Sequence, residues 1–218
     1  EFSQFETLNF SLGAGSDTMS IGHTAIPTSL GAINIDGGAP SASDTIIVTT
    51  GTTDDTVAIT NVTTGGATVN VTIDPGTLNV VLPTLTLTTI EHLIVDGGGG
   101  NDAVTVTASG ADESISVTPG AIADSASVQI DSNISLDFEN LGATRTFTID
   151  PGAGTDTITF AGTANNDTAT ITDASVTING QVYAITAANN EVIVVNLGDG
   201  DDTATVTPDA ETAITVNG

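Results

Sequence analysis

The chain has no cysteine and no tryptophan, and among its 218 residues only one is a lysine or arginine. Without thiols there is no disulfide framework and no thiolate metal centre. With Arg145 as the one permanent cation against 27 Asp and Glu, the formal charge is −26, which excludes an electrostatic partnership with nucleic acid or anionic lipid. No run of about 18 apolar residues is present, so nothing is expected to insert in a membrane. Aromatic residues make up 3% of the chain, too few for the core of a conventional β-sandwich.

What is present is alternation. TDTITF, NDAVTV and DDTATV place apolar side chains at every second position, the period of half-buried strands. Gly, Asn, Asp and Pro clusters cut these runs at short intervals, and no segment has a helical period. The chain reads as all-β with many short strands. Acids recur singly or in pairs at the turns between strands, not as a disordered tail.

The turns carry the functional signal. DPGAGTDTITF from Asp150 has relatives in LGAGSDTMSI from Leu12, DGGGGNDAVTV from Asp96, LGDGDDTATV from Leu197 and the stretched DGGAPSASDTIIV from Asp36. Glycines at the first, second and fourth turn positions permit positive φ, and the Asp adds a carboxylate to backbone carbonyls crowded by the turn. Hard oxygen donors of this kind suit Ca²⁺. The same units recur roughly every 45 to 60 residues with a weaker half-repeat inside each. The organisation expected is a partial N-terminal repeat or donated strand at 1–29, repeats at 30–90, 91–140 and 141–190, and a partial C-terminal repeat at 191–218.

This pattern predicts a β-solenoid of imperfect repeats, parallel β-helix or β-roll-like, with apolar residues inward and the Gly-Asp turns along one edge. The alternative is an array of antiparallel β-sandwich modules. Asn179-Gly180 in SVTINGQVYAIT supports that alternative, since Asn-Gly between alternating strands is a strong hairpin signal. Both chain ends fall inside a repeat, so the piece is expected to continue into further repeats of a longer chain or into another copy of itself. Phe5 to Leu12 is the segment expected to add a strand to an open C-terminal layer around ETAITVNG.

GGGGNDAVT at Gly97 to Thr105 fits the nonapeptide G-G-x-G-x-D-x-U-x, with U a large apolar residue, at every position. PGAGTDTIT from Pro151, LGDGDDTAT from Leu197 and LGAGSDTMS from Leu12 fit it with the first glycine replaced. The chain therefore resembles the calcium-binding repeat-in-toxin regions of secreted bacterial adhesins and surface proteins. That resemblance implies Ca²⁺ as cofactor, a right-handed β-roll, and metal ligation by Asp17, Asp102, Asp156 and Asp202, with Asp44 as a weaker fifth. It extends to turn carbonyls at Gly98, Gly100, Gly152, Gly154, Gly198 and Gly200. Asp36, Asp96 and Asp150, at the ends of the incoming strands, are candidate second ligands. In the family the nonapeptides follow one another directly. Here single copies stand apart, so turns such as Asp74-Pro75-Gly76 and Asp131-Ser132-Asn133 would have to complete the sites.

Catalysis has few candidate residues. Arg145, Tyr183, His23 and His92 sit in different repeats with no shared motif, and a polysaccharide-active enzyme would need Arg145 and Tyr183 to converge in a groove. Outward T-x-T ranks raise ice binding as a further alternative. The function expected is non-enzymatic: an extracellular or cell-surface, calcium-stabilised structural protein of an adhesin stalk, surface layer or filament, with no nucleic-acid or membrane partner.

Overall fold

Alternation of apolar with Thr, Ser or Ala makes each short segment a strand with one greasy face, and two such faces must meet to exclude water. The computed structural model describes residues 6–22, 30–38, 43–74, 76–77, 79–122, 124–186, 192–207 and 212–218. These are all-β, in two mixed sheets between which the chain alternates. Strand β1 (Thr7–Ser11) lies in the first sheet, β2 (Thr18–Gly22) in the second, β3 (Ala32–Asp36) in the first and β4 (Thr45–Thr49) in the second. The chain then stays in the first sheet for β5 (Thr56–Thr63), β6 (Gly66–Ile73), the short β7 (Val80–Val81) and β8 (Thr84–Thr88). Next, β9 (His92–Asp96) is in the second sheet and β10 (Ala103–Thr107) in the first. A meander of β11 (Ser114–Pro119), β12 (Ala126–Ile130) and β13 (Ser135–Glu139) follows in the second.

Strands β14 (Thr146–Asp150) and β15 (Thr157–Ala161) cross from first to second sheet. A meander of β16 (Thr168–Thr172), β17 (Ser175–Ile178) and β18 (Gln181–Ile185) occupies the first. The described chain closes with β19 (Val192–Asn196) in the second sheet, β20 (Thr203–Thr207) in the first and β21 (Ala213–Asn217) in the second. The first sheet runs β1-β3-β8-β6-β5-β10-β14-β18-β17-β16-β20 with β7 beside β6; the second runs β2-β4-β9-β13-β12-β11-β15-β19-β21. Pairing is antiparallel only inside three meanders, β5 to β8, β11 to β13 and β16 to β18, and parallel everywhere else.

Parallel pairing between crossing strands and antiparallel hairpins therefore occur in the same sheets. Asn179 and Gly180 have φ of 51° and 82°, and Ile178 pairs with Gln181 across them, so they form the two-residue turn between β17 and β18.

The core is the slab between the sheets, filled mostly from the second and fourth residues of the five-residue strands, as at Ile46 and Val48, Leu93 and Val95, Val104 and Val106, Ile158 and Phe160, whereas β12 and β18 bury their first, third and fifth. Four of the aromatic residues, Phe138, Phe147, Phe160 and Tyr183, meet at one level of it. Phe138 meets Phe147 edge-on at 4.9 Å, Phe147 meets Tyr183 at 5.5 Å, and Phe160 lies 5.6 Å from Tyr183. These rings come from β13, β14, β15 and β18, so they tie the two sheets together where the second and third meanders adjoin. Three of the T-x-T ranks, on β10, β16 and β20, lie on the first sheet, whose strands carry only two charged residues, Asp36 and Asp150; the fourth, Thr157 to Thr159, lies on β15 of the second.

Candidate functional site

Crossing between sheets places the turns on two opposite edges of the slab. Asp17, Asp44 and Asp156 end turns that lead from first sheet to second; Asp102 and Asp202 end turns that lead back. The five motif carboxylates thus fall on two edges, not one. Each occupies the residue immediately before a strand. Five further acids hold that position without a full glycine motif: Glu6, Asp55, Glu91, Glu113 and Asp167. Sequence reasoning missed them because it followed the glycines; an acid directly preceding an alternating strand was the signal.

These acids form ladders along both edges. The main-chain N–H of Asp17 donates to Asp44 Oδ1 at 2.7 Å, and that of Asp44 to Glu91 Oε2 at 2.8 Å. Likewise Asp55 N–H donates to Asp102 Oδ1 at 2.8 Å, Glu113 N–H to Asp156 Oδ1 at 2.7 Å and Asp167 N–H to Asp202 Oδ1 at 2.8 Å. Partners lie 27 to 47 residues apart in sequence, because a meander is interposed within most repeats. A charged acceptor on a main-chain N–H contributes about 1.5–3 kcal/mol. A second ladder, at the residue before, runs the other way: Asn101 N–H donates to Asp54, Thr155 N–H to Asp112 and Asp201 N–H to Asn166.

Glycine is required for two different reasons. In the four nonapeptide copies the second and fourth positions have positive φ, including Gly98 (71°), Gly100 (93°), Gly152 (87°), Gly154 (132°), Gly198 (94°) and Gly200 (139°). At Gly97 the constraint is space, since a Cβ there would stand 2.2 Å from Asp102 Oδ2 and 2.5 Å from Asn140 O. The turns also stack tightly. A Cβ on Gly142 would meet Gly100 O at 1.9 Å, so that carbonyl is packed against the next turn.

The incoming-strand acids close their own turns. Asp96 Oδ1 accepts from Gly98 N–H at 3.0 Å and from Asn140 Nδ2 at 2.9 Å; Asp150 Oδ1 accepts from Gly152 N–H at 3.2 Å; Asp36 Oδ1 accepts from Gly38 N–H at 3.1 Å. The hairpin turns meet the ladders where the meanders interrupt them: Asp74 N–H donates to Asp55 Oδ1 at 3.0 Å, and Asp131 Oδ1 accepts from Ser114 N–H at 2.9 Å. Pro75, between Asp74 and Gly76, lies outside the described residues.

One oxygen of several ladder acids is left over. Asp17 Oδ2, Asp55 Oδ2, Asp102 Oδ2 and Glu113 Oε2 are inaccessible and without a hydrogen-bond partner. Asp102 is fully buried, and burial, with the neighbouring carboxylates of Asp55, Asp54 and Asp96, pushes its pKa up to about 7. Burial also raises Glu113, with the Asp156 carboxylate adding to the effect. At Asp167 burial acts in the same sense but is outweighed by hydrogen bonds from Thr163 and Asn179, which lower its pKa. Among the described residues no three His, Asp or Glu side chains converge as a preformed metal-binding group. The donor chemistry nevertheless fits a hard cation, because the unpaired atoms in the ladders are carboxylate oxygens.

Arg145 stands at the ladder position of its turn, where the neighbouring turns have an acid. It is buried, donates from Nη2 to Gln181 Oε1 at 3.2 Å and to Tyr183 Oη at 3.1 Å, and lies 5.1 Å from the Tyr183 ring centroid. Arg145 and Tyr183 thus converge, in the core and not in a groove. Burial raises the Tyr183 pKa, with Arg145 pulling the other way. Gln181 Nε2 donates to Gly120 O at 3.1 Å, so the group bridges the sheets beside a cleft of about 290 Å³ lined by residues including Pro119, Thr163 and Asn179. His92 pairs with Asp137 on the outer face of the second sheet. His23 is outside the described residues. No helix long and apolar enough to cross a membrane is present among the described residues. Comparison with protein-family models, with curated proteins and with solved structures found no match.

Proposed function

We propose that the chain is a two-sheet β-solenoid with inserted meanders, stabilised by Ca²⁺ at its turn edges, and that it serves as a non-enzymatic structural element of an extracellular or cell-surface assembly. The observation that carries this reading is the pair of carboxylate ladders with buried, unpaired oxygens in a chain whose one lysine or arginine is Arg145. A buried carboxylate without a partner must either take a proton or meet a cation. No side-chain ammonium reaches these positions, so the cation has to come from solution. Asp17, Asp44, Asp55, Asp102, Glu113, Asp156 and Asp202 would hold it, with Asp54 and Asp96 adding negative charge beside Asp102. Bound Ca²⁺ would supply charge neutralisation and oxygen coordination. The resemblance to repeat-in-toxin nonapeptides points to the same ion.

The buried Arg145–Tyr183 pair favours a structural role over a catalytic one. Tyr183 is inaccessible, and its hydroxyl and the guanidinium satisfy one another and Gln181. Ice binding is not adopted, because Ala58, Ala103 and Ala184 break the threonine ranks of the first sheet. Titration calorimetry of the metal-free chain tests the main reading: Ca²⁺ binds at several sites per chain, and Asp102→Asn lowers the number. Absence of any Ca²⁺ heat at millimolar concentration, with a folded chain, sinks it.

A further inference from the structure

The two ends of the slab are complementary. At one end the outermost strands are β1 and β2; at the other they are β20 and β21. Between these ends the second and fourth residues of the five-residue crossing strands are buried, but Phe10 is 39% and Val206 40% exposed, and β20 is exposed along its length. Leu8, Met19, Ile214 and Val216 are only partly covered. Tracing the pairings through each sheet, β1 runs parallel to β20 and β2 parallel to β21. The ladder at the residue before each strand has a direction as well: the carboxylate always belongs to the later turn and the N–H to the earlier one. Its last N–H on one edge, that of Asp202, has no partner among the described residues, and the acid before β1, Glu6, has a carboxylate without one. On the other edge Asp17 Oδ2 is likewise unpaired.

We propose that these ends are filled by a second copy of this chain, stacked head to tail so that β1 extends the first sheet beyond β20 and β2 extends the second beyond β21. This rests on the self-assembly part of the proposed function and names its interface. In the register of the existing parallel pairs, Leu8 and Phe10 fall beside Ala204 and Val206, while Met19 and Ile21 fall beside Ile214 and Val216. The core of one copy then continues into the next. Asp202 N–H donates to Glu6 of the next copy, and Asp17 faces the turn before β21. The contact is heterologous and repeats without closing unless its rotation happens to form a ring. The donated segment thus belongs beside Thr203–Thr207 and not beside Ala213–Asn217, because β1 is a first-sheet strand.

The absence of native cysteine makes this testable by cross-linking. The full chain with Asn9→Cys and Thr205→Cys places the two sulfurs on paired residues of adjoining copies, within the Cα separation a disulfide accepts. The two sites lie at opposite ends of the first sheet of one chain, so only a bond between copies is reachable. Under mild oxidation in millimolar Ca²⁺, a ladder of covalent multimers is expected, formed at least roughly tenfold faster than from the mismatched pair Asn9→Cys and Thr215→Cys. Glu6→Ala should weaken association, measured by sedimentation, roughly tenfold or more, although simple relief of charge repulsion would strengthen it. Multimers in sedimentation with equal cross-linking of both cysteine pairs overturn this interface and leave self-assembly standing. A chain that stays monomeric in Ca²⁺ overturns both, and assigns the open ends to neighbouring segments of a longer polypeptide.

Discussion

At the scale of single residues, the acid before each strand does more than form a turn. At Asp44, Glu91, Asp102, Asp156 and Asp202 the carboxylate caps the N–H of an equivalent residue far away in sequence, and Asp44, Asp102 and Asp156 give up solvent in doing so. Asp102 shows the consequence. Its pKa of about 7 in the folded chain exceeds the model-compound value of 3.8, so between these values the folded state holds a proton that the unfolded state has lost. Stability from this group is then fully present below about pH 4 and falls as the pH rises towards 7. The proposed binding of Ca²⁺ would reverse the sense, because the ion would bind only the ionised form. Asp102→Asn retains an acceptor for Asp55 N–H and removes the charge. Thermal melts should show it more stable than the parent above pH 7 in chelator, and less stable at the same pH in millimolar Ca²⁺. Equal effects in both buffers would show that the carboxylate is structural only.

At the scale of elements, the strands were legible because their period of two survives in nearly every segment, from TITFA to VIVVN. The Asn179-Gly180 hairpin was legible for the same reason, having a turn with a known backbone demand. What could not be read was how the meanders divide between sheets. Burial alternation is the same in a crossing strand such as β10 as in meander strands such as β16 or β17. That ambiguity made single nonapeptide copies look isolated, although stacked turns adjoin them through contacts across 35 to 47 residues. Hairpin residues with positive φ serve the ladders too: Asn179 Oδ1 accepts from Thr168 N–H at 3.0 Å, and its amide donates to Asp167. Gly180→Ala should cost about 1 kcal/mol from backbone strain alone. Asn179→Ala, which adds the loss of both hydrogen bonds, should cost about 2 kcal/mol or more. Denaturant titrations that rank the two variants in the opposite order would contradict the capping role.

At the scale of the whole molecule, charge and architecture pull against each other. Turns from both edges bring acids together along the slab, and the buried Arg145 neutralises none of them, since its hydrogen bonds go to Gln181 and Tyr183. A formal charge of −26 on this scaffold requires either screening or site-bound cations. The two have different signatures. Screening depends on ionic strength and acts on exposed charges within about a Debye length, near 10 Å at 0.1 M salt. Coordination acts on the buried oxygens of Asp55, Asp102 and Glu113, which ions in bulk solution do not screen. At the proposed sites, with a dissociation constant near 10⁻⁴ M, millimolar Ca²⁺ would stabilise the fold by roughly 1.4 kcal/mol per site, so a few sites would amount to a large part of a domain's net stability. Melting temperature should therefore rise steeply over the first few millimolar CaCl₂ and far less when NaCl is added to the same ionic strength in chelator. Magnesium, which surrenders its water reluctantly and demands octahedral geometry, should fall between them. A chain whose melting temperature follows ionic strength alone, whichever salt supplies it, is an acidic surface adapted to salt, and its ladders then work as hydrogen-bonded caps with shared protons instead of as metal sites.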